Sequence, residues 1–587
     1  MQGPTVMFIM PGVCHGLLKP PTSIPKPGAR LLLLTMSSER GSEGNRVIII
    51  GAGVGGIAAA IALKTQLKTS NFKIYDAGSD VGGTWRDNVY PGCSSDVYTH
   101  WYSLSIELNP DWDTTHVHQP QLLKYLQDVT RKYSLYDQCV FHTEVIAATW
   151  DASHQVWRVE LKNLKTGSSF DTAKAVISSV GILCVPRYPR DLDGVKTRFK
   201  GQYFHSARWN YDVDLRNKRV AVIGNGCSAA QFLPIIAEEP TTHIVNFWRT
   251  PMWYFPSVRR TYTAIEKWAF RNIPFVMRLY RWSIFLWQES IWLLVVGGRP
   301  NHTLRLLFQK YLTSYMKKLA PKRYHEVLKP DYPFACKRLV VDTGYYSMLH
   351  RPNVSLVKDN IADIVEEGIL TKNGELIPFD VIILATGFVV DNYPFTVRGK
   401  KGITLQEYYD QHGGPTAYLG TTIPGFPNFF MLGGTLPRNM TQRYTDIRAG
   451  PNTNQGHGSV IFTEECQVSY ITQFLKPILQ GEVSSFDVTE KAADAYNERL
   501  QRRLNASVWS ACQSWYRVGQ TGKISSIWPG MFVEYWWAVK SPKWGDYEAV
   551  GAEEWQRRRK SDTIVFWCGL LAGGVAAVLW EYLQKQG

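Results

Sequence analysis

Two glycine clusters in this chain could seat a phosphate. The stretch 46–60, RVIIIGAGVGGIAAA, runs an apolar strand into Gly51, Gly53 and Gly56 and then into an Ala/Ile helix. Gly51 permits a tight turn, Gly53 lets the backbone approach a pyrophosphate, and Gly56 lets helix and strand pack closely. The helix N-terminus then presents unpaired N–H groups to the phosphates. Asp76 ends the next strand, NFKIYD. A carboxylate there can accept from both hydroxyls of a ribose. The pattern returns at 219–236, RVAVIGNGCSAAQFLPII, with Gly224, Gly226 and Ala229. Its following strand, HIVNFWRT, ends in Arg249 and Thr250 in place of an acid. A carboxylate would repel a 2′-phosphate, whereas arginine can pair with one through two parallel hydrogen bonds. The second cluster therefore favours NADPH over NADH.

Two strand–glycine–helix units predict an α/β fold with two Rossmann-like dinucleotide-binding domains. The first is expected over 46–198. Short strands and turns resume over 375–530, including DVIILATGF at 380–388, so the first domain is expected to be discontinuous. The second is expected over 218–374, with a helical insertion at about 262–330 that is rich in Trp, Tyr, Phe and Arg. Residues 199–217 form the linker. Residues 1–45, with several prolines and no long apolar run, are expected to be a disordered extension that starts at Met1 or at Met36.

Composition narrows the classes. With 587 residues, 45% of them apolar, the chain can bury a large core, which excludes a mostly disordered protein. The net charge of +15 is spread along the chain except at Arg557 to Lys560, so no nucleic-acid partner is expected. Nine cysteines form no CxxC pair and no metal-ligand spacing. No metal and no dithiol centre are expected, and the scattered set fits a reducing compartment. The C-terminus differs from the rest. TIVFWCGLLAGGVAAVLW, 563–580, carries no charge over 18 residues and covers about 27 Å as a helix, close to the thickness of a thin bilayer. It follows a charged linker, 531–562, and Trp567 and Trp580 could sit at the interfaces. This predicts a C-terminal transmembrane helix. The protein would be a single-pass membrane protein of the endoplasmic reticulum with its catalytic part cytosolic. Gly569 and Gly573 form a GxxxG that could support weak dimerisation.

Several further segments belong together: GGTWRDNVYPGCSSD at 82–96, FKGQYFHSARW at 199–209, CKRLVVDTGYY at 336–346, ATGF at 385–388, GPNTNQGHGS at 450–459 and SWYRVGQTGKISSIWPG at 514–530. On these residues the chain, from about 46 to about 530, resembles the Baeyer–Villiger-type flavin-dependent monooxygenases. Phe199 to Trp209 fits that family's Phe-x-Gly-x3-His-x3-Trp fingerprint; Asn210 stands where the family usually has Pro or Asp. The resemblance implies FAD in the first fold, NADPH in the second and O2 as co-substrate. One oxygen atom would be inserted into a lipophilic ketone to give an ester or lactone, as in secondary-metabolite biosynthesis.

It also implies roles for particular residues. Gly83, Thr84, Trp85, Tyr90, Asp96, Tyr102 and Val145 would contact FAD beside Gly51, Gly53, Gly56 and Asp76. Ser228, Lys337, Arg338 and Trp515 would contact NADP beside the second cluster, Arg249 and Thr250. Arg338 matches the catalytic arginine and Asp96 the carboxylate that orients it. A guanidinium stays charged at any working pH and can stabilise a developing oxyanion. Neighbours in an extended segment point to opposite sides, so Lys337 can reach the nucleotide while Arg338 reaches the flavin. A helix N-terminus at PNTNQGHG would favour negative charge on the reduced ring. His205 becomes a linker residue that sets how the two domains meet. Two alternatives stay open: a flavin monooxygenase that hydroxylates a small molecule or oxygenates its nitrogen or sulfur, and an NADPH oxidase or reductase that oxygenates nothing.

Overall fold

The computed structural model describes residues 46–561, apart from 182, 184, 190–191, 296–298, 359–360, 389–394, 434–450, 455 and 457. The expected N-terminal extension, 1–45, lies outside the described residues.

The first glycine cluster follows the central strand of a five-stranded parallel sheet. Its order is Phe429–Met431, Ala175–Ser178, Val47–Ile50, Phe72–Tyr75 and Cys139–Val140. Parallel strands covered on both faces appear as unbroken apolar runs, and Val47–Ile50 is buried throughout. Successive side chains point to opposite faces. Val47 and Ile49 join a core with Ile57, Ile61 and Phe474. Ile48 and Ile50 join another with Trp157 and Phe429. Each such side chain contributes about 1.5–3 kcal/mol on burial. The helix Val54–Thr65 packs against the helix Val460–Leu479, so the first glycine turn is backed by a late segment of the chain.

The second cluster has the same setting. Its sheet runs Val354–Lys358, His243–Trp248, Arg219–Ile223, Val381–Leu384 and Gln202–His205, all parallel. Three expected boundaries move, and at one of them the expected charged linker, 531–562, holds the helix Phe532–Val539 and the strand Tyr547–Val550, which pairs with Ser485–Val488. The boundary at 374/375 puts Val381–Leu384 in the first domain, yet it pairs with Arg219–Ile223 in the second sheet. A four-residue, wholly apolar strand carries no mark of which parallel sheet it joins. Within the expected linker, 199–217, Gln202–His205 is the edge strand of that sheet. The late strand that does enter the first sheet is Phe429–Met431.

Between the strands Tyr254–Pro256 and Val340–Asp342 the chain forms the helices Ala264–Asn272, Val276–Val295 and Arg299–Leu319. Thr263 and Glu266 cap the first of them reciprocally.

The expected transmembrane helix is corrected. Among the described residues no helix is long and apolar enough to cross a membrane. The long apolar helix Val276–Val295 carries Arg278, Arg281 and Glu289. The segment 563–580, with Gly569 and Gly573, lies outside the described residues. The expected membrane localisation, an endoplasmic-reticulum anchor with a cytosolic catalytic part, is corrected with it. The cysteines are also not all unpaired, since Cys336 and Cys512 form a disulfide across 176 residues of sequence.

Candidate active site

Both glycine turns open into one cavity of about 1720 Å³. That exceeds the roughly 300–1,000 Å³ of a drug-sized ligand site, as two dinucleotides in one space require. Gly51 has φ +101°, and a Cβ on it would lie 2.5 Å from Ser179 O. Gly224 has φ +122°, and a Cβ there would lie 2.3 Å from Ala385 O. No other residue fits either position. Gly53 and Gly226 cap the two helices and line the cavity. Gly56 and Ala229 do not line it; a Cβ on Gly56 would strike Gly51 O, and Ala229 is fully buried behind its turn. Those two shape the helix–strand contact.

The remaining expected FAD contacts, Asp76, Gly83, Thr84, Trp85, Tyr90, Asp96, Tyr102 and Val145, all line the same cavity. Asp76 first serves its own fold. It accepts from Ala52 N and Gly78 N, each at 2.7 Å, and from Arg86 Nη1 at 2.8 Å. A carboxylate offers about four lone-pair sites, so room for one more donor is left. Trp85 and Tyr102 meet edge to face. Tyr90 does more than pack, because its hydroxyl donates to Gln231 Oε1 at 3.0 Å. Gln231 also bonds both the N–H and the C=O of Ser94. This ties the loop of the first fold to the helix Cys227–Ile236 of the second.

Arg338 and Asp96 form an ion pair between Nη2 and Oδ2, 242 residues apart in sequence. Each is held from both sides. Arg338 lies between the Cys336–Cys512 disulfide and the strand Val340–Asp342, which pairs with Tyr254–Pro256. Asp96 sits in a loop fixed by Ser95, whose N–H donates to Val117 O and whose hydroxyl bonds Val97. The Asp96 charge holds the guanidinium well above its ordinary pKa, against the opposing cost of burial. About a third of the Arg338 side chain remains exposed, where it lines the cavity.

Lys337 leads elsewhere. Its ammonium stands over the Tyr332 ring, 4.4 Å from the centroid. Burial lowers its pKa, and the nearby Arg249 charge lowers it further, with Asp331 opposing. Two like charges drawn together beside a cavity favour an anion between them. Thr250 and Ser228 line the same end, and Thr250 O accepts from Asn225 Nδ2 at 3.0 Å. Trp515 lines the cavity next to Gln513 and Ser514, on the segment that the disulfide joins to Lys337 and Arg338.

His205 lies outside the cavity lining. It is fully buried, and its Nδ1 accepts from Ala207 N at 3.0 Å. Burial pushes its pKa down to about 4, so it is neutral at working pH. Asn210 starts a turn, with Oδ1 accepting from Asp212 N. Among the lining residues that sequence reasoning did not single out are Arg86, Gln231 and Glu464.

Comparison with known proteins shows the family. Residues 44–247 match the family model "FMO-like: Flavin-binding monooxygenase-like". A Baeyer–Villiger monooxygenase of Pseudomonas aeruginosa is 35% identical over 515 residues, 85% of this chain and 90% of that protein. The structure of cyclohexanone monooxygenase from Rhodococcus sp. Phi1 bound to NADP+ superposes with a TM-score of 0.72 at 27% identity, covering 86% of this chain and all of that one. An oxidised steroid monooxygenase bound to NADP gives a TM-score of 0.71 at 26% identity, covering 86% of this chain and 99% of that one. The chain belongs to the Baeyer–Villiger-type flavoprotein monooxygenases, with FAD and NADPH as cofactors and O2 as co-substrate.

Proposed function

We propose that this chain oxidises a lipophilic, cyclic ketone to a lactone, with Arg338 and Asp96 at the oxygen-transfer step. The observation that carries the proposal is the Arg338–Asp96 pair on the wall of the cavity shared by both glycine turns. In the balanced reaction, ketone, O2, NADPH and a proton give ester or lactone, NADP+ and water. FAD, when bound, would supply the redox chemistry that links NADPH to O2.

The chain's residues do the rest. Gly51 and Gly53 seat the FAD pyrophosphate, and the open site on Asp76 accepts a ribose hydroxyl. Gly224 and Gly226 seat the NADPH pyrophosphate, while Arg249, Thr250 and Lys337 hold its 2′-phosphate. Arg338 stabilises the negative charge that develops on the carbonyl oxygen, and Asp96 fixes its direction. A permanently charged donor suits that task, because it needs no proton to arrive or leave. Trp85, Tyr102 and Trp515 wall the site against water, which strengthens each of these contacts. The lipophilic, cyclic substrate class rests on this aromatic wall and on the names of the two structural relatives.

The purified protein, supplied with NADPH and a panel of cyclic and steroidal ketones, should yield a product one oxygen atom heavier that lacks the ketone carbonyl. Mass spectrometry with infrared detection reads both. Stoichiometric hydrogen peroxide with every ketone would overturn the proposal.

A further inference from the structure

The helix Val460–Leu479 carries two adjacent acids that are used differently. Glu465 is committed within the protein. It accepts from Ser105 N at 2.7 Å and from Ser105 Oγ at 2.8 Å, and lies 3.7 Å from Arg281 Nη2. Glu464 lines the cavity, is only 8% exposed, and has no hydrogen-bond partner for Oε2. Two glycines make space for it. A Cβ on Gly433 would lie 2.3 Å from Glu464 Oε1, and one on Gly55 would lie 3.2 Å from the same atom. Gly55 is in the first turn of the helix that follows the first glycine cluster. Gly433 follows the last strand of the same sheet. The carboxyl therefore stands between the helix of the first glycine turn and the end of the last strand, near enough for its charge to act on Tyr102.

A buried polar group left unpaired is destabilising, and such a group next to a ligand cavity can be satisfied by the ligand. Burial, with Glu465 adding to it, pushes the Glu464 pKa up to about 8. At neutral pH the group is mostly protonated and can both donate and accept.

We propose that Glu464 is a cofactor-binding residue whose carboxyl hydrogen-bonds the flavin half of FAD, beside Gly55 and Gly433. This rests on FAD being the occupant of the first fold, and it adds a contact that the glycine motif does not contain. The test uses apoprotein reconstituted with FAD and followed by flavin fluorescence and by melting temperature. Glu464→Leu should weaken FAD binding about tenfold and shift the bound-flavin absorbance. Glu464→Gln, which keeps a donor and an acceptor, should stay within about threefold of the parent. The melting temperature separates binding from folding. Replacing an unpaired acid by leucine should leave the apoprotein at least as stable as the parent, while the stabilisation gained on adding FAD falls. If Glu464→Leu does not fold, Glu464→Ala takes the same measurements. Unchanged FAD affinity, spectrum and FAD-induced stabilisation in a folded variant would overturn the proposal. A parent protein that binds no FAD at all would overturn the cofactor reading and this proposal with it.

Discussion

The two glycine turns are nearly the same object. Gly53 and Gly226 cap their helices with φ/ψ of −76°/−172° and −77°/−169°. Gly51 and Gly224 both sit at positive φ, each against the carbonyl of a residue that follows a neighbouring strand. They differ one strand later. The first fold ends in Asp76, whose carboxylate is largely occupied by Ala52, Gly78 and Arg86. The second ends in Arg249 and Thr250, with Lys337 brought in from a distant segment. The turn is thus a general seat for a pyrophosphate, set by backbone geometry alone. In the reading proposed above, charge at the end of the next strand decides which dinucleotide is held.

The largest effects should come from breaking the seats separately. Gly51→Ala places a Cβ 2.5 Å from Ser179 O at positive φ, and the purified variant should contain no FAD. Gly224→Ala makes the equivalent clash with Ala385 O. It should keep FAD and its yellow colour but raise the KM for NADPH on the order of a hundredfold, since a 2.7 kcal/mol loss corresponds to that factor. Loss of FAD from Gly224→Ala would mean that the two seats are not independent.

A smaller effect sharpens the charge argument. Hydrogen bonds to charged groups contribute about 1.5–3 kcal/mol. Arg249→Ala and Lys337→Ala should each raise the KM for NADPH about ten- to a hundredfold and leave the KM for NADH unchanged. Steady-state kinetics with both nucleotides reads the ratio. An equal rise for NADH would place these side chains on a part of the nucleotide that both molecules share.

How much of this was legible in the sequence follows the range of each interaction. Gly51 and Gly224 are readable because only glycine tolerates their backbone, and the strand and helix around them are local patterns. Arg338 and Asp96 are separated by 242 residues, and only the family segments link them. Val381–Leu384 carries no mark of its sheet, because its four apolar residues fit either. Glu464 was invisible because an acid on a helix ordinarily faces solvent; only the space beside Gly55 and Gly433 shows that it faces inward. The Cys336–Cys512 pairing had no local signal at all. The expected membrane span falls at 563–580, outside the described residues, and no described helix can take its place.

The division of labour between hydride delivery and oxygen transfer is tested most directly in Arg338→Lys. Lysine keeps the positive charge but lacks the planar guanidinium whose Nη2 bonds Asp96 Oδ2. The variant is reduced by NADPH without air and then mixed with O2 and a ketone substrate of the parent enzyme. Flavin reduction should occur within about tenfold of the parent rate, whereas the oxygenated product should fall on the order of a hundredfold and be replaced by hydrogen peroxide. Product formed at the parent yield would show that Arg338 is not the group that stabilises oxygen transfer.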